Sequence, residues 1–172
     1  MTKALLVVAI LRMMGVRVPH ETHCTHYLRA AQVAPVVLRA LDVERSDLRP
    51  TLVAAQQGNE SSWRWRREGD ATYRPGAGVL TGAHGEVGWA QVKPDGRATE
   101  YCTDLDIRRP DGNVRCQIRL LHEARAACGG EPINWLGRYR GDPCGPSDYA
   151  RRVLAIEARG VEHPIVLTDV AR

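Results

Sequence analysis

Apolar residues run unbroken from Ala4 to Leu11 and stop at Arg12. Lys3 precedes them, as at the start of a secretory signal, but the run is short and no small-residue cleavage pattern follows before Pro19. The pattern therefore predicts a buried N-terminal helix and leaves the export route open. Between Tyr27 and Val43, the positions of Leu28, Ala31, Val36, Leu38, Ala40 and Leu41 predict a second helix, interrupted near Pro35. Ser46 and Asp47 offer caps for a third, with Pro50 in its first turn, running through Leu52, Val53 and Ala55 to about Ser61.

Gly- and Pro-rich sequence from Gly69 to Gly88, including the turn signal Tyr73-Arg74-Pro75-Gly76, predicts a loop or hairpin, and Asp95 to Gly112 is again rich in turns. Asn113 to Ala127 carries Val114, Ile118, Leu121 and Ala124 on one helical face, and Gly129-Gly130 supplies a C-cap. Asn134 to Tyr139 and Asp148 to Ala158 predict two further short helices. The fold class expected is mainly α, with helices around a cleft and one small irregular or hairpin section. A chain of 172 residues suits one domain with a real core. The expected organisation is a helical extension over residues 1–46, a main domain over 47–160 and a tail over 161–172. No run of twenty apolar residues occurs, so no transmembrane span is expected. No short period repeats, which excludes a solenoid.

Composition adds a bias in charge. Lys+Arg 24 against Asp+Glu 20 leaves +4, and only Lys3 and Lys93 are lysines. A mild positive excess favours anionic partners, among them nucleic acid, acidic lipid and acidic cell-wall polymer, without choosing between them. With Phe absent, Leu, Val, Ala and the four Trp must fill the core.

Three local clusters invite chemistry. His20, His23, Cys24 and His26 are ligand types for zinc, but they lack the paired spacing of zinc modules, so a solvated polar turn is expected and no metal site. Cys24, Cys102, Cys116, Cys128 and Cys144 make an odd count. The four in the second half suggest two disulfides in an oxidising compartment, with Cys24 left over and three pairings open. Trp63-Arg64-Trp65-Arg66-Arg67 interleaves rings and cations. It is narrower than a nucleic-acid stripe and reads better as a subsite wall, whose arginines would meet carboxylates of a ligand.

Glu60 is the first candidate for catalysis. It lies three and four residues after Gln57 and Gln56 and seven after Val53, so all share one helical face. It also falls near the helix C-terminus, just before Trp63 and Trp65. The negative end of the helix dipole and apolar rings both favour the protonated carboxyl, which is the form that a general acid for glycosidic cleavage needs.

Asn59-Glu60-Ser61 is followed by Gly85-Glu86-Val87-Gly88-Trp89-Ala90-Gln91, then by Asn113-Val114, then by Trp135-Leu136-Gly137-Arg138-Tyr139-Arg140-Gly141. This order resembles the lytic transglycosylase family, whose domains have a lysozyme-like α+β fold, over roughly residues 47 to 158. The resemblance implies Glu60 as the catalytic acid and Ser61 as its usual neighbour. It implies Gly88 and Gln91 as cleft-lining residues, Asn113 as the third-motif Asn and Tyr139 as the tyrosine close to the acid. Trp89-Ala90 replaces the family's Leu-Met, and Arg140 stands where it has Asn. On this likeness Trp89 would present its ring to a sugar, and Gln91 would bond an acetamido or hydroxyl group.

The activity so implied is non-hydrolytic cleavage of the β-1,4 bond between N-acetylmuramic acid and N-acetylglucosamine, giving 1,6-anhydro-muramoyl ends without a cofactor. Its partners would be peptidoglycan glycan strands, with a cell-envelope or phage assembly beside them and no nucleic acid. Its place would be the periplasm, the cell envelope, the exterior or a virion. Glycosidases commonly use two carboxylates. Glu68, Asp70, Glu86, Asp95 and Glu100 are the candidates for a second one. If none faces Glu60, one acid serves twice. A hydrolytic muramidase and a non-catalytic wall-binding module are the alternatives.

Overall fold

A computed structural model describes residues 1–17, 21–65, 73 and 78–161. It is mainly helical: α1 (Lys3–Arg17), α2 (His23–Val43), α3 (Pro50–Ser61), α4 (Arg97–Tyr101), α5 (Pro110–Cys128), α6 (Pro132–Trp135), a 3₁₀ turn (Leu136–Arg140) and α7 (Asp148–Val161). The described residues contain no strand, only the isolated antiparallel bridges Thr81–Val87 and Val87–Val92.

Helix α3 is the axis of the molecule. Every residue from Thr51 to Gly58 is buried, so the helix is enclosed on all sides. Helices α1, α2 and α7 pack around it. Leu6, Ile10, Met13 and Met14 of α1 belong to the same core as Leu52 and Val53 of α3 and Ile118 and Leu121 of α5. The segment expected as an extension thus shares the main core. A smaller cluster (Ala90, Val92, Ala98, Cys102, Cys116, Leu120) lies under α4 and the bridged loop, and Tyr139 packs against both clusters.

Several expected boundaries move, each for a local reason. Helix α3 starts at Pro50, but its N-cap is Arg49. Ser46 instead accepts from the Leu48 amide at 3.2 Å, and Asp47 pairs with Arg125 at 2.7 Å. Helix α2 runs straight through Pro35, flanked by the core residues Val33, Ala34 and Val37; tertiary packing outweighs the lost backbone bond. Helix α5 begins three residues early, because Pro110 suits the first helical position. Helix α4 was not foreseen in the turn-rich stretch.

His23, Cys24 and His26 do not form a solvated turn; they open α2, capped by the Thr22 side chain on the Thr25 amide. Cys24 is free and exposed, whereas His26 is buried. His20 lies outside the described residues. The pairing left open is Cys102–Cys116 and Cys128–Cys144, which ties α5 to the chain on either side of it. No described helix is long and apolar enough to cross a membrane.

Candidate active site

Glu60 occupies the last turn of α3, on the wall of a cleft of about 550 Å³. Gln91 and Glu86 line it from the bridged loop, Arg97 from α4, and Tyr139 and Arg140 from the 3₁₀ turn. Burial pushes the Glu60 carboxyl above the ordinary glutamate range, against the opposing pull of a hydrogen bond from Tyr149. Nearby Glu86 pushes the same way as burial and Arg140 opposes it.

Tyr149, in the first turn of α7, donates to Glu60 Oε1 at 2.6 Å. Behind it stands a buried chain of amides. Gln57 Nε2 donates to Gln117 Oε1 at 2.8 Å, Gln117 Nε2 to Gln56 Oε1 at 2.7 Å, and Gln56 Nε2 to the Tyr149 hydroxyl at 3.1 Å. The polarity of this chain follows from one anchor. Gln117 Nε2 also reaches the Val53 carbonyl at 3.0 Å, which can only accept. The Gln56 atom facing that nitrogen is therefore its oxygen, the Gln56 nitrogen faces Tyr149, and the tyrosine proton is left for Glu60. With Oε1 taken as acceptor, Oε2 is the oxygen left to carry a proton when the carboxyl is neutral.

The residues expected at the site divide into two groups. Gln91 and Tyr139 line the cleft beside Glu60. Tyr139, expected close to the acid, spends its hydroxyl on the Ala90 carbonyl at 2.8 Å, and the bond to Glu60 comes from Tyr149. Ser61, Gly88, Trp89 and Asn113 are buried in the walls instead. Ser61 bonds back to the Gln57 carbonyl at 3.1 Å within its own helix. Trp89 is 1% exposed and packs edge-on against Trp65, so it offers no face to a ligand.

Asn113, fully buried at the start of α5, holds the loop in shape. Its Oδ1 accepts from the Ala90 amide at 3.0 Å, and its Nδ2 donates to the carbonyls of Val87 at 2.9 Å and Ile107 at 3.1 Å. Gly88 (φ +75°) presses against it, and a Cβ there would stand 2.6 Å from Asn113 Nδ2. Gln91 also has positive φ, at 47°, and bonds the Gly88 carbonyl at 2.7 Å. Strain of this kind, held by a buried clasp, fixes where Gln91 stands in the cleft.

The Trp–Arg stretch does not form the expected subsite wall. Trp63 and Trp65 are fully buried. Ser62 and Trp63 both adopt positive φ, turning the chain back so that the Trp63 indole lies over Gly58 and donates to the Ala54 carbonyl at 2.9 Å. Arg64 pairs with Glu21, and Arg66 and Arg67 lie outside the described residues. Of the second-carboxylate candidates, Glu86 and Asp95 line the cleft and Glu68 and Asp70 lie outside the described residues. Glu86 Oε2 accepts from the His84 amide at 3.0 Å.

Tyr149, Gln117 and Arg140 escaped notice as site residues. The tandem Gln56-Gln57, following the apolar run Leu52 to Ala55 in a buried helix, was the available signal, because enclosed amides demand partners. Among the described residues no group of three or more His, Cys, Asp or Glu is placed to hold a metal. No protein-family model, curated protein or solved structure matches the chain.

Proposed function

We propose that this chain is a peptidoglycan lytic transglycosylase, with Glu60 as its single acid and base. The observation that carries the reading is a carboxyl favoured in its protonated form by burial, oriented from the core by Tyr149, and opening on a cleft within the usual size range of ligand sites. The order of motifs around Glu60, Gln91, Asn113 and Tyr139 supports the same reading.

The chemistry would proceed in two steps. Glu60 Oε2 gives its proton to the glycosidic oxygen, the bond from that oxygen to C1 of the muramoyl residue breaks, and the 4-hydroxyl of N-acetylglucosamine leaves. The acetamido carbonyl of the same muramoyl residue supports the cationic C1. Glu60, now a carboxylate, takes the proton of the C6 hydroxyl as its oxygen bonds to C1. The acid is restored, a 1,6-anhydro ring closes, and no water is consumed.

One observation favours a second reading, hydrolysis. Glu86 lines the cleft with Glu60, and a second carboxylate in such a site can activate water. Mass spectrometry of the muropeptides released from purified sacculi separates the two. Anhydro ends, one water lighter, support the lyase, whereas reducing ends support a hydrolase. Absence of released fragments with the parent chain, under conditions in which it is folded, refutes both. The two disulfides support a place of action in an oxidising compartment such as the cell envelope or the exterior.

A further inference from the structure

Arg140 closes the 3₁₀ turn at the rim of the cleft, exposed, with its guanidinium carbon 5.5 Å from the centre of the Tyr149 ring. The other cleft cations are committed. Arg97 donates to Glu123 at 2.6 Å and to the carbonyls of Arg138 and Tyr139. Lys93 pairs with Asp95 at 3.3 Å. Arg140 has no hydrogen-bond or ion-pair partner among the described residues; its guanidinium lies over the tyrosine face and is close enough to Glu60 to act on it electrostatically. Stacking on an aromatic ring places a guanidinium without using its N–H donors.

Those donors therefore stand open beside the acid, in the fork that suits a carboxylate. Of the acidic groups that would repel an anion there, Asp95 is offset by Lys93, and Glu60 works in its neutral form on the reading above. Glu86, which has no ion-pair partner among the described residues, is the remaining cleft carboxylate. The geometry points to Arg140 as a carboxylate-binding residue that makes the cleft select glycans carrying a carboxylate near the cleaved bond over neutral glycans of the same linkage. This rests on the glycan-cleaving reading and adds the residue that sets its preference for an anionic strand. In a muramoyl strand the carboxylate comes either from the lactyl ether or from a stem peptide.

The test is equilibrium binding to the Glu60→Gln protein, which cannot turn ligand over. Three probes are compared: neutral chitotetraose, a peptide-free N-acetylglucosamine–N-acetylmuramic acid tetrasaccharide, and that tetrasaccharide bearing stem peptides. At least one anionic probe should bind about ten- to a hundredfold tighter than chitotetraose, the range of a charge-assisted hydrogen bond. Which anionic probe gains identifies the source of the carboxylate. Adding Arg140→Gln should bring the ratio close to one, Arg140→Lys should keep part of it, and salt should weaken it. Equal affinity for neutral and anionic probes, or a preference that survives Arg140→Gln, overturns the assignment of Arg140 while leaving the glycan reading intact. Failure of the folded protein to bind any of the three overturns both.

Discussion

Gln56 donates to the Tyr149 hydroxyl at 3.1 Å, and this makes the tyrosine a donor toward Glu60. The acid is thus held by a chain of neutral groups whose direction is set deep in the core, at the Val53 carbonyl.

The first expectation concerns that hydroxyl. On the proposed reading, Tyr149→Phe should lower peptidoglycan cleavage by about ten- to a hundredfold, a fraction of what a positioned acid contributes. Since the lost bond favours the carboxylate, the pKa of Glu60 should rise, carrying the alkaline limb of the pH–rate profile upward. Tyr139→Phe, which removes only a bond to the Ala90 carbonyl, should leave that limb in place. An upward shift with Tyr139→Phe and none with Tyr149→Phe would reverse the assignment.

Gln117→Leu keeps volume but strands the Gln57 nitrogen and the Gln56 oxygen in the core. Each buried group left unpaired costs about 1–3 kcal/mol, so a loss of about 2 kcal/mol or more is expected in urea unfolding. The midpoint should fall at constant slope. A stability within experimental error of the parent would show that the amides are replaceable.

Glu60 also sets a pH dependence of stability. Its folded pKa is raised, so the native state binds a proton more tightly than the unfolded chain. That contribution is complete below the ordinary glutamate value and is lost as pH climbs through the raised one. Glu60→Gln should therefore be more stable than the parent at neutral pH, with the advantage vanishing under acid conditions, while on the proposed reading cleavage drops by orders of magnitude. A Glu60→Gln protein that is less stable at neutral pH would mean that the carboxylate is held by favourable contacts.

Gly58→Ala drives a methyl group into the Trp63 ring, well inside van der Waals contact. Overpacking of this kind costs about 1–3 kcal/mol. The indole should move, visible as a change in near-ultraviolet circular dichroism and a lower unfolding temperature. Unchanged spectra would argue against the ring lying over Gly58.

Thiol titration of the native oxidised protein should find one reactive group, Cys24, and five after reduction and unfolding. Cys102→Ser with Cys116→Ser should cost about 3 kcal/mol, the entropy of a loop of that size. Two or more reactive thiols in the native protein would contradict the pairing.

Periodicity made the long helices legible, since Val114, Ile118 and Leu121 mark one face of α5 and Pro50 marks the start of α3. It also put Glu60 on a face with Gln56 and Gln57, and the structure links that face to Glu60 through Tyr149. What it did not convey was depth. Trp63, Trp65 and Trp89 carried the look of a ligand surface because aromatic rings suit both sugars and cores, and only the three-dimensional enclosure of α3 decides between them. Tyr149 was invisible for the opposite reason: its partner lies 89 residues away, and nothing local in Asp148-Tyr149-Ala150 announces it. Asn113 was found by its motif, but its work is to hold the loop, which no spacing reveals.

The amide chain behind Tyr149 has a consequence for proton traffic. Carboxamides hold their hydrogens far too firmly to pass them along at ordinary pH, so the inner side of Glu60 is sealed against exchange. Any proton that leaves Glu60 must depart through the mouth of the cleft, and any replacement must come in the same way, from whatever molecule or solvent fills it.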